Sequence, residues 1–221
     1  MKKIFASLAA AVCISSSAQA QVLNFDGILS GSGSAAIGNY YNGGAGTNHG
    51  IEFFGNALAI NSRVGGCGGD GNVALQPSGC GVLFFLTGGA TGMNRAAGFT
   101  TGFSLFYSAA NLPGSLAVWS GLNGTGNVLG SLALPSTGSG SNNNACFGQD
   151  YCPWTSVGVG FAGTAQSIVF AGVQNQIAFD DVTFGSITPG TVIPEPSTYA
   201  LMAAGLAALG FVSRRRRATQ V

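Results

Sequence analysis

Three apolar runs near the end of the chain, Thr155 to Phe161, Ser167 to Val173 and Gln176 to Phe184, are separated only by Gly163-Thr164-Ala165-Gln166 and Gln174-Asn175. Each run is too short for a helix that buries a stripe, is rich in Val, Ile, Phe and Thr, and ends at Gly or Asn. They predict three strands in antiparallel succession. The same grammar extends backward, with 37 glycines in 221 residues making long helices unfavourable. Val22 to Ile28 alternates apolar and polar, as a strand with one wet face should. Further strands are expected at Gly50 to Ile60, Gly81 to Thr87, Gly98 to Ala109 and Ser115 to Ser120. Leu122-Asn123-Gly124-Thr125-Gly126 is turn material, and Val128 to Leu134 returns from it as a hairpin arm. The pattern predicts an all-β fold, an antiparallel jelly-roll-like β-sandwich of two sheets.

The two ends are of different character. Lys2 and Lys3 precede an apolar stretch from Ile4 to Ile14, then Ser15-Ser16-Ser17 and Ala18-Gln19-Ala20. This is the layout of a signal peptide over residues 1–20, with a small-residue site for signal peptidase, so the mature chain is expected to begin at Gln21. At the other end stand Ile193-Pro194-Glu195-Pro196-Ser197-Thr198-Tyr199, an apolar run from Ala200 to Val212, and Arg214-Arg215-Arg216-Arg217. Two prolines around one carboxylate favour an extended segment. The 15 uncharged positions from Tyr199 to Ser213 would span roughly 22 Å as a helix, short of the roughly 30 Å hydrocarbon core. The arginines are placed to stop translocation on the cytoplasmic side.

Those three ordered elements resemble the PEP-CTERM sorting signal of Gram-negative bacteria. The resemblance implies recognition at Pro194, Glu195 and Pro196 by exosortase, a membrane-embedded transpeptidase-like enzyme. It further implies transient anchoring in the inner membrane through a short transmembrane helix, removal of the tail, and delivery to the cell surface or extracellular matrix. Residues 21–185 are then the β-sandwich ectodomain, 186–192 a linker containing Pro189 and Gly190, 193–217 the sorting signal and 218–221 a tail. The closing run Ile177 to Gly185 also looks like the last strand of sandwich ectodomains found upstream of such tails, which in turn look like carbohydrate-binding modules.

Charge narrows the partners. Lys2, Lys3 and the four terminal arginines lie in the removable ends, leaving Arg63 and Arg95 against Asp26, Glu52, Asp70, Asp150, Asp180, Asp181 and Glu195, two positives and seven negatives. Nucleic acid, whose phosphates need clustered Lys and Arg, is not an expected partner. The roughly 175 residues in between suffice for one core. Loss of Cys13 with the signal peptide leaves Cys67, Cys80, Cys146 and Cys152, an even set in an exported chain and without paired C-x-x-C spacing for zinc. Two disulfides are expected. Three connectivities are open; short loops favour Cys67 with Cys80 and Cys146 with Cys152.

Catalytic chemistry is thinly supplied. His49 is the one histidine, no G-x-S-x-G elbow is present, and Gly65-Gly66-Cys67-Gly68-Gly69-Asp70 reads as a tied turn. His49 is expected at the surface and Trp119 in the core. Asp26 and the pair Asp180 and Asp181 follow Phe on the first and last strands, where neighbouring strands would bring the carboxylates together, and a structural Ca²⁺ is the ion such oxygens would hold. Tyr40, Tyr41 and Trp154, with Tyr151 nearby, fall in loops rich in Gly, Asn or Pro and are candidates for wet aromatic platforms that bind a glycan. The expectation is therefore an exported, non-enzymatic surface or biofilm-matrix protein with exopolysaccharide as a partner. The alternatives are a lectin-like binding module with structural calcium and, further off, a secreted hydrolase.

Overall fold

The computed structural model describes residues 20–88, 90–172 and 174–190, with Gly205. One compact unit runs from Ala20 to Val192; Met1–Gln19 and Ile193–Val221 form a second unit. Apart from Ala20 and Gly205, the predicted signal peptide, the Pro194-Glu195-Pro196 motif, the apolar run behind it and Arg214 to Arg217 therefore lie outside the described residues. Among the described residues no helix is long and apolar enough to cross a membrane.

The first unit is two antiparallel sheets. One has seven strands: β10 (Thr155–Gly160), β7 (Gly102–Ala109), β12 (Ile177–Phe184), β5 (Gly81–Phe84), β4 (Leu58–Asn61) and β2 (Ser34–Ala36) in that order, with β1 (Gln21–Leu23) also on β12. The other has five: β3 (Ile51–Gly55), β6 (Ala90–Phe99), β11 (Ala165–Gly172), β8 (Gly114–Trp119) and β9 (Val128–Leu134). The β8 and β9 hairpin forms as its turn residues predict, with Ser115 opposite Ala133. The three C-terminal runs are strands, but not in succession: β10 and β12 both flank β7, and β11 lies in the opposite sheet between β6 and β8. Local periodicity sees a strand but not which sheet receives it, because either sheet offers an apolar inner face. Likewise the single run Gly50 to Ile60 breaks at Gly55, whose φ of +70° lets the chain leave one sheet for the other.

Between the sheets sits an aromatic core. Phe103, Phe170, Phe179 and Phe184 are fully buried, and Phe170 meets Phe179 with ring centroids 4.7 Å apart while Phe99 meets Phe184 at 4.9 Å, edge to face. Burying each such ring contributes about 1.5–3 kcal/mol, enough for this cluster to dominate the fold's stability.

A third layer, unannounced by the sequence, covers the outer face of the seven-stranded sheet. Val82 and Ala178 alternate with the core residues Leu83 and Phe179, so they point outward, where Val73, Tyr151 and the half-buried Trp154 pack on them. The covering segments are the two disulfide loops, Cys67 to Cys80 and Cys146 to Cys152, with Cα separations of 5.5 and 5.8 Å. Asn72 and Tyr151 stitch them together through Ala74 N–H to Tyr151 O and Tyr151 N–H to Asn72 O. The segment after β12 is also docked rather than free. Gly158 on β10 faces it so closely that a Cβ would strike the Ile187 carbonyl, and Gly190 N–H donates to Thr183 Oγ1 at 3.1 Å. Residues 186–190 of the expected linker are thus a strap on the sheet.

Candidate functional site

The first and last strands do pair: Gln21 opposes Phe184 and Leu23 opposes Val182. β12 changes partner along its length, taking β5 at Ala178 and Phe179 and β1 from Val182 onward. At that junction β12 carries one extra residue against β7, between Asp180 and Thr183. Asp181 occupies the bulge with φ +47°, a left-handed conformation that Asp tolerates better than most residues. Both carboxylates are thereby turned toward the loop that leads from Leu75 to Cys80.

Ser78 in that loop is the meeting point. Its N–H donates to Asp180 Oδ2 at 3.0 Å and its hydroxyl donates to Asp181 Oδ1 at 2.7 Å, while Asp181 N–H donates to Asp180 Oδ1 at 2.7 Å. Asp26 holds the far end of the same loop, accepting from Cys80 N–H at 2.6 Å and Gly81 N–H at 2.9 Å. Gly79, at φ +37°, passes so near the Asp26 carboxylate that no side chain would fit. Asp180 is fully buried, and desolvation, reinforced by the charges of Asp181 and Asp26 against the opposing pull of the Ser78 and Asp181 N–H groups, pushes its carboxyl up to about 8. Asp181 is raised as well, by burial first. Ser78 has one hydroxyl proton, committed to Asp181 at the short distance. Its Oγ lies 3.3 Å from both Asp180 oxygens and is free to accept the proton of a neutral Asp180.

The expected juxtaposition of Asp26, Asp180 and Asp181 therefore forms, but around a serine. Calcium takes six to eight oxygens at about 2.3–2.6 Å. Here the carboxylates are engaged by N–H and O–H donors, and among the described residues no group of three or more His, Cys, Asp or Glu is disposed to hold a metal ion. The donor set fits a hydrogen-bonded latch.

Above the latch opens a polar cleft of about 320 Å³ lined by Val22, Asn24, Gly27, Tyr40, Tyr41, Thr47, His49 and Asp181. Sequence reasoning named five of the groups gathered here or just beneath, Tyr40, Tyr41, Asp26, Asp180 and Asp181, from unconnected arguments. Their roles differ from expectation. Tyr41 is a core residue, 5% exposed, packed edge-on against Phe25, and its hydroxyl accepts the Phe25 N–H at 3.0 Å. Burial pushes that phenol far above its ordinary range. Tyr40 is half-buried, edge-to-face on Tyr41 at 4.8 Å, with Gly27 and Gly46 pressed against its ring, so it forms a wall of the cleft. Trp154 lies elsewhere, half-buried in the loop layer with its indole N–H donating to Ala74 O at 2.9 Å. Trp119 is half-buried with its indole N–H unpartnered. Gly and Asn flank the two tyrosines, yet Gly27 and Gly46 lie against the Tyr40 ring while Phe25 and Phe53 cover Tyr41.

His49 is half-buried on the lining of the same cleft, its ring centroid 6.0 Å from that of Tyr41. Burial, and then the nearby charge of Arg95, hold its imidazole below the usual range. Among the described residues His49 makes no side-chain hydrogen bond to a hydroxyl or thiol, and the four described cysteines are disulfide-bonded. A second groove, about 220 Å³ and mostly apolar, lies on the outer face of the seven-stranded sheet between Phe84, Leu86 and Tyr151.

Comparison with known proteins bears first on the far end of the chain. Residues 192–217 match the family described as PEP-CTERM protein-sorting motif. The chain carries a PEP-CTERM sorting motif. That motif marks an exported protein sorted to the cell envelope and implies processing by exosortase. It covers none of the sandwich, for which no curated protein gives a match. Among solved structures, the carbohydrate-binding module CsCBM6-3 of Clostridium stercorarium, seen with cellobiose, is 15% identical over 72% of this chain and 98% of that one, at a TM-score of 0.37. The K1 cleaved adhesin domain of Lys-gingipain from Porphyromonas gingivalis is 13% identical over 69% and 96%, at 0.41. A glycoside hydrolase family 43 arabinoxylan arabinofuranohydrolase from Bacillus subtilis, seen with cellotetraose, is 18% identical over 51% of this chain, at 0.35. The chain covers only 23% of that enzyme's length.

Proposed function

We propose that the PEP-CTERM-tagged chain is a non-enzymatic envelope or matrix protein whose sandwich binds a polyhydroxylated surface polymer, an exopolysaccharide, in the cleft over the Ser78 latch. One observation carries the reading: a cleft with Asn24, Thr47, His49 and Asp181 on its lining and Tyr40 as a wall offers the mixture of acceptors, donors and ring edge that sugar hydroxyls and C–H faces require. Asp181, fixed by the bulge and by Ser78, is the acceptor for paired ligand hydroxyls, and Asn24 supplies an amide beside it. The loop anchoring through Asp26 and Cys67–Cys80 keeps this geometry preformed, so little ordering is lost on binding.

The test is calorimetric titration of the purified exported protein with oligosaccharides from envelope polymers. Binding that is lost in Asp181→Asn and Asn24→Ala supports the cleft. Failure of the wild-type protein to bind any of them sinks the reading and leaves a matrix protein that works by self-association.

A further inference from the structure

A sheet that does not close into a barrel leaves unpaired N–H and C=O groups along its end strands, and folds guard such edges with charge, proline, short length or a covering segment. Of the four strands that end the two sheets, three are guarded. β2 has only three residues. β3 carries the exposed Glu52, and its Ile51 and Phe53 N–H groups donate to the carbonyls of Tyr41 and Gly38 at 3.2 and 2.8 Å, so a loop stands where a further strand would. β10 lies under the strap, with Ile187 against Gly158 and Gly160. β9 is the exception. It has seven residues, and among the described residues its backbone hydrogen-bonds only to β8. β10 of the opposite sheet approaches it through a side chain, Val159 against Gly130. The extra residue that disturbs the ladder with β8 is Leu129, at the hairpin end, so Gly130 to Leu134 is a regular edge with neither charge nor proline. Ser131 and Ala133 on it are exposed, as is Val128 just before it, at 51%.

Charge decides what the edge fits. From Ala96 to Phe179 the one charged side chain is Asp150, which is tied to Asn72 and Ser139 in the loop layer, so β7 to β11 carry none. The rest of the described domain holds Asp26, Glu52, Asp70, Asp180 and Asp181 against Arg63 and Arg95. Two copies of so acidic a domain repel one another through those surfaces, and β9 is where they meet without charge. We infer that β9 pairs antiparallel with β9 of a second copy of this chain, joining two five-stranded sheets into one of ten strands. A strand paired antiparallel with itself is two-fold symmetric: each outward donor on one copy faces an acceptor on the other, and the contact closes at two copies. An axis normal to the sheet keeps Leu132 and Leu134 on the core side, and Ser131 and Ala133 on the outer side, in both copies. The exposed Val128 of each copy then packs against the far end of the other copy's strand. This edge shares no residue with the polar cleft, so pairing and glycan binding are separate properties.

The test is sedimentation equilibrium of the purified exported protein over a range of concentrations, for the wild type, Ser131→Lys, Ser131→Glu and Ser34→Lys. The wild type should be a reversible monomer and dimer, associating more tightly as salt screens the acidic repulsion. Hydrogen exchange of the β9 amides should slow as the dimer fills. Each Ser131 variant sets like charges against one another across the two-fold axis and should raise the dissociation constant roughly tenfold or more. An equimolar mixture of the Lys and Glu variants should recover the dimer, which variants that had merely lost their fold would not do. Ser34→Lys, on the short edge β2, should dimerise as the wild type does. A wild type that stays monomeric at every concentration overturns the inference, as does a dimer that both Ser131 variants leave intact. Tighter association of Ser131→Lys with weaker association of Ser131→Glu overturns it too, because overall charge and not the edge would then be the cause.

Discussion

The Ser78 latch makes stability depend on pH in a direction opposite to that of an ordinary carboxylate pair. Asp180 has a folded-state value of about 8, against about 3.9 in the unfolded chain. Below pH 4 the group is neutral in both states and the fold keeps its full stability. As pH rises through the window from about 4 to about 8, the unfolded chain ionises while the folded one holds its proton, so stability is lost continuously and the loss is complete above pH 8. At about 1.36 kcal/mol per unit, the decline between pH 5 and pH 8 amounts to about 4 kcal/mol. Asp181, raised in the same direction, adds to it. For a domain of this size that corresponds to a melting temperature lower by roughly 8–16 °C. Urea unfolding at pH 5, 6.5 and 8 with the disulfides intact measures it. In Asp180→Asn the slope across this window should shrink to the part due to Asp181. One oxygen of Asp180 accepts from Ser78 N–H and the other from Asp181 N–H, and the amide replaces one of these oxygens by a donor, so the variant should be less stable by about 1 kcal/mol at pH 5 and more stable than wild type at pH 8. A midpoint independent of pH from 5 to 8, or an unchanged slope in Asp180→Asn, would refute the reasoning.

Three further outcomes follow from the packing. Tyr41→Phe strips the acceptor from a buried Phe25 N–H and should cost about 1–3 kcal/mol in chemical denaturation, while Tyr41→Ala adds a cavity and should cost about 3–5; a surface platform would lose neither. Replacing both Cys67 and Cys80 by Ser opens a loop of sequence separation 13 and should destabilise by about 3 kcal/mol, more than the same change at Cys146 and Cys152, with a separation of 6; the reverse ranking would count against the loop-entropy argument. Gly158→Val drives a side chain into the Ile187 carbonyl and should lift the strap, giving new proteinase K cleavage within 186–190 at a cost of about 1–3 kcal/mol; an unaltered digestion pattern would show that the strap is not held there.

Much of this protein is written locally. The sorting motif is a continuous stretch whose meaning lies in residue order, and β-strands of five to eight residues announce themselves through alternation and the Gly and Asn that end them. Four cysteines leave three pairings open in the sequence, and the short-loop pairing it favours, Cys67–Cys80 and Cys146–Cys152, is the one found. Even the meeting of Asp26 with Asp180 and Asp181 was legible, because first and last strands of such sandwiches tend to be neighbours. Other features depend on contacts between residues far apart in the chain, and no local pattern encodes them. Whether β10, β11 and β12 share a sheet depends on which apolar faces are already covered when they dock. The burial of Tyr41 depends on Phe25 and Phe53 arriving from other elements, and the neutral Asp180 on Ser78, 102 residues away. Arg95 is one of two basic residues left between the two ends, and only the ladder with Ile51 shows that it is half-buried with its Nε shielded from solvent. Sequence thus determined the destination and the kind of fold, since both reside in short-range order, while tertiary structure decided the site, since a site is made of side chains that only packing brings together.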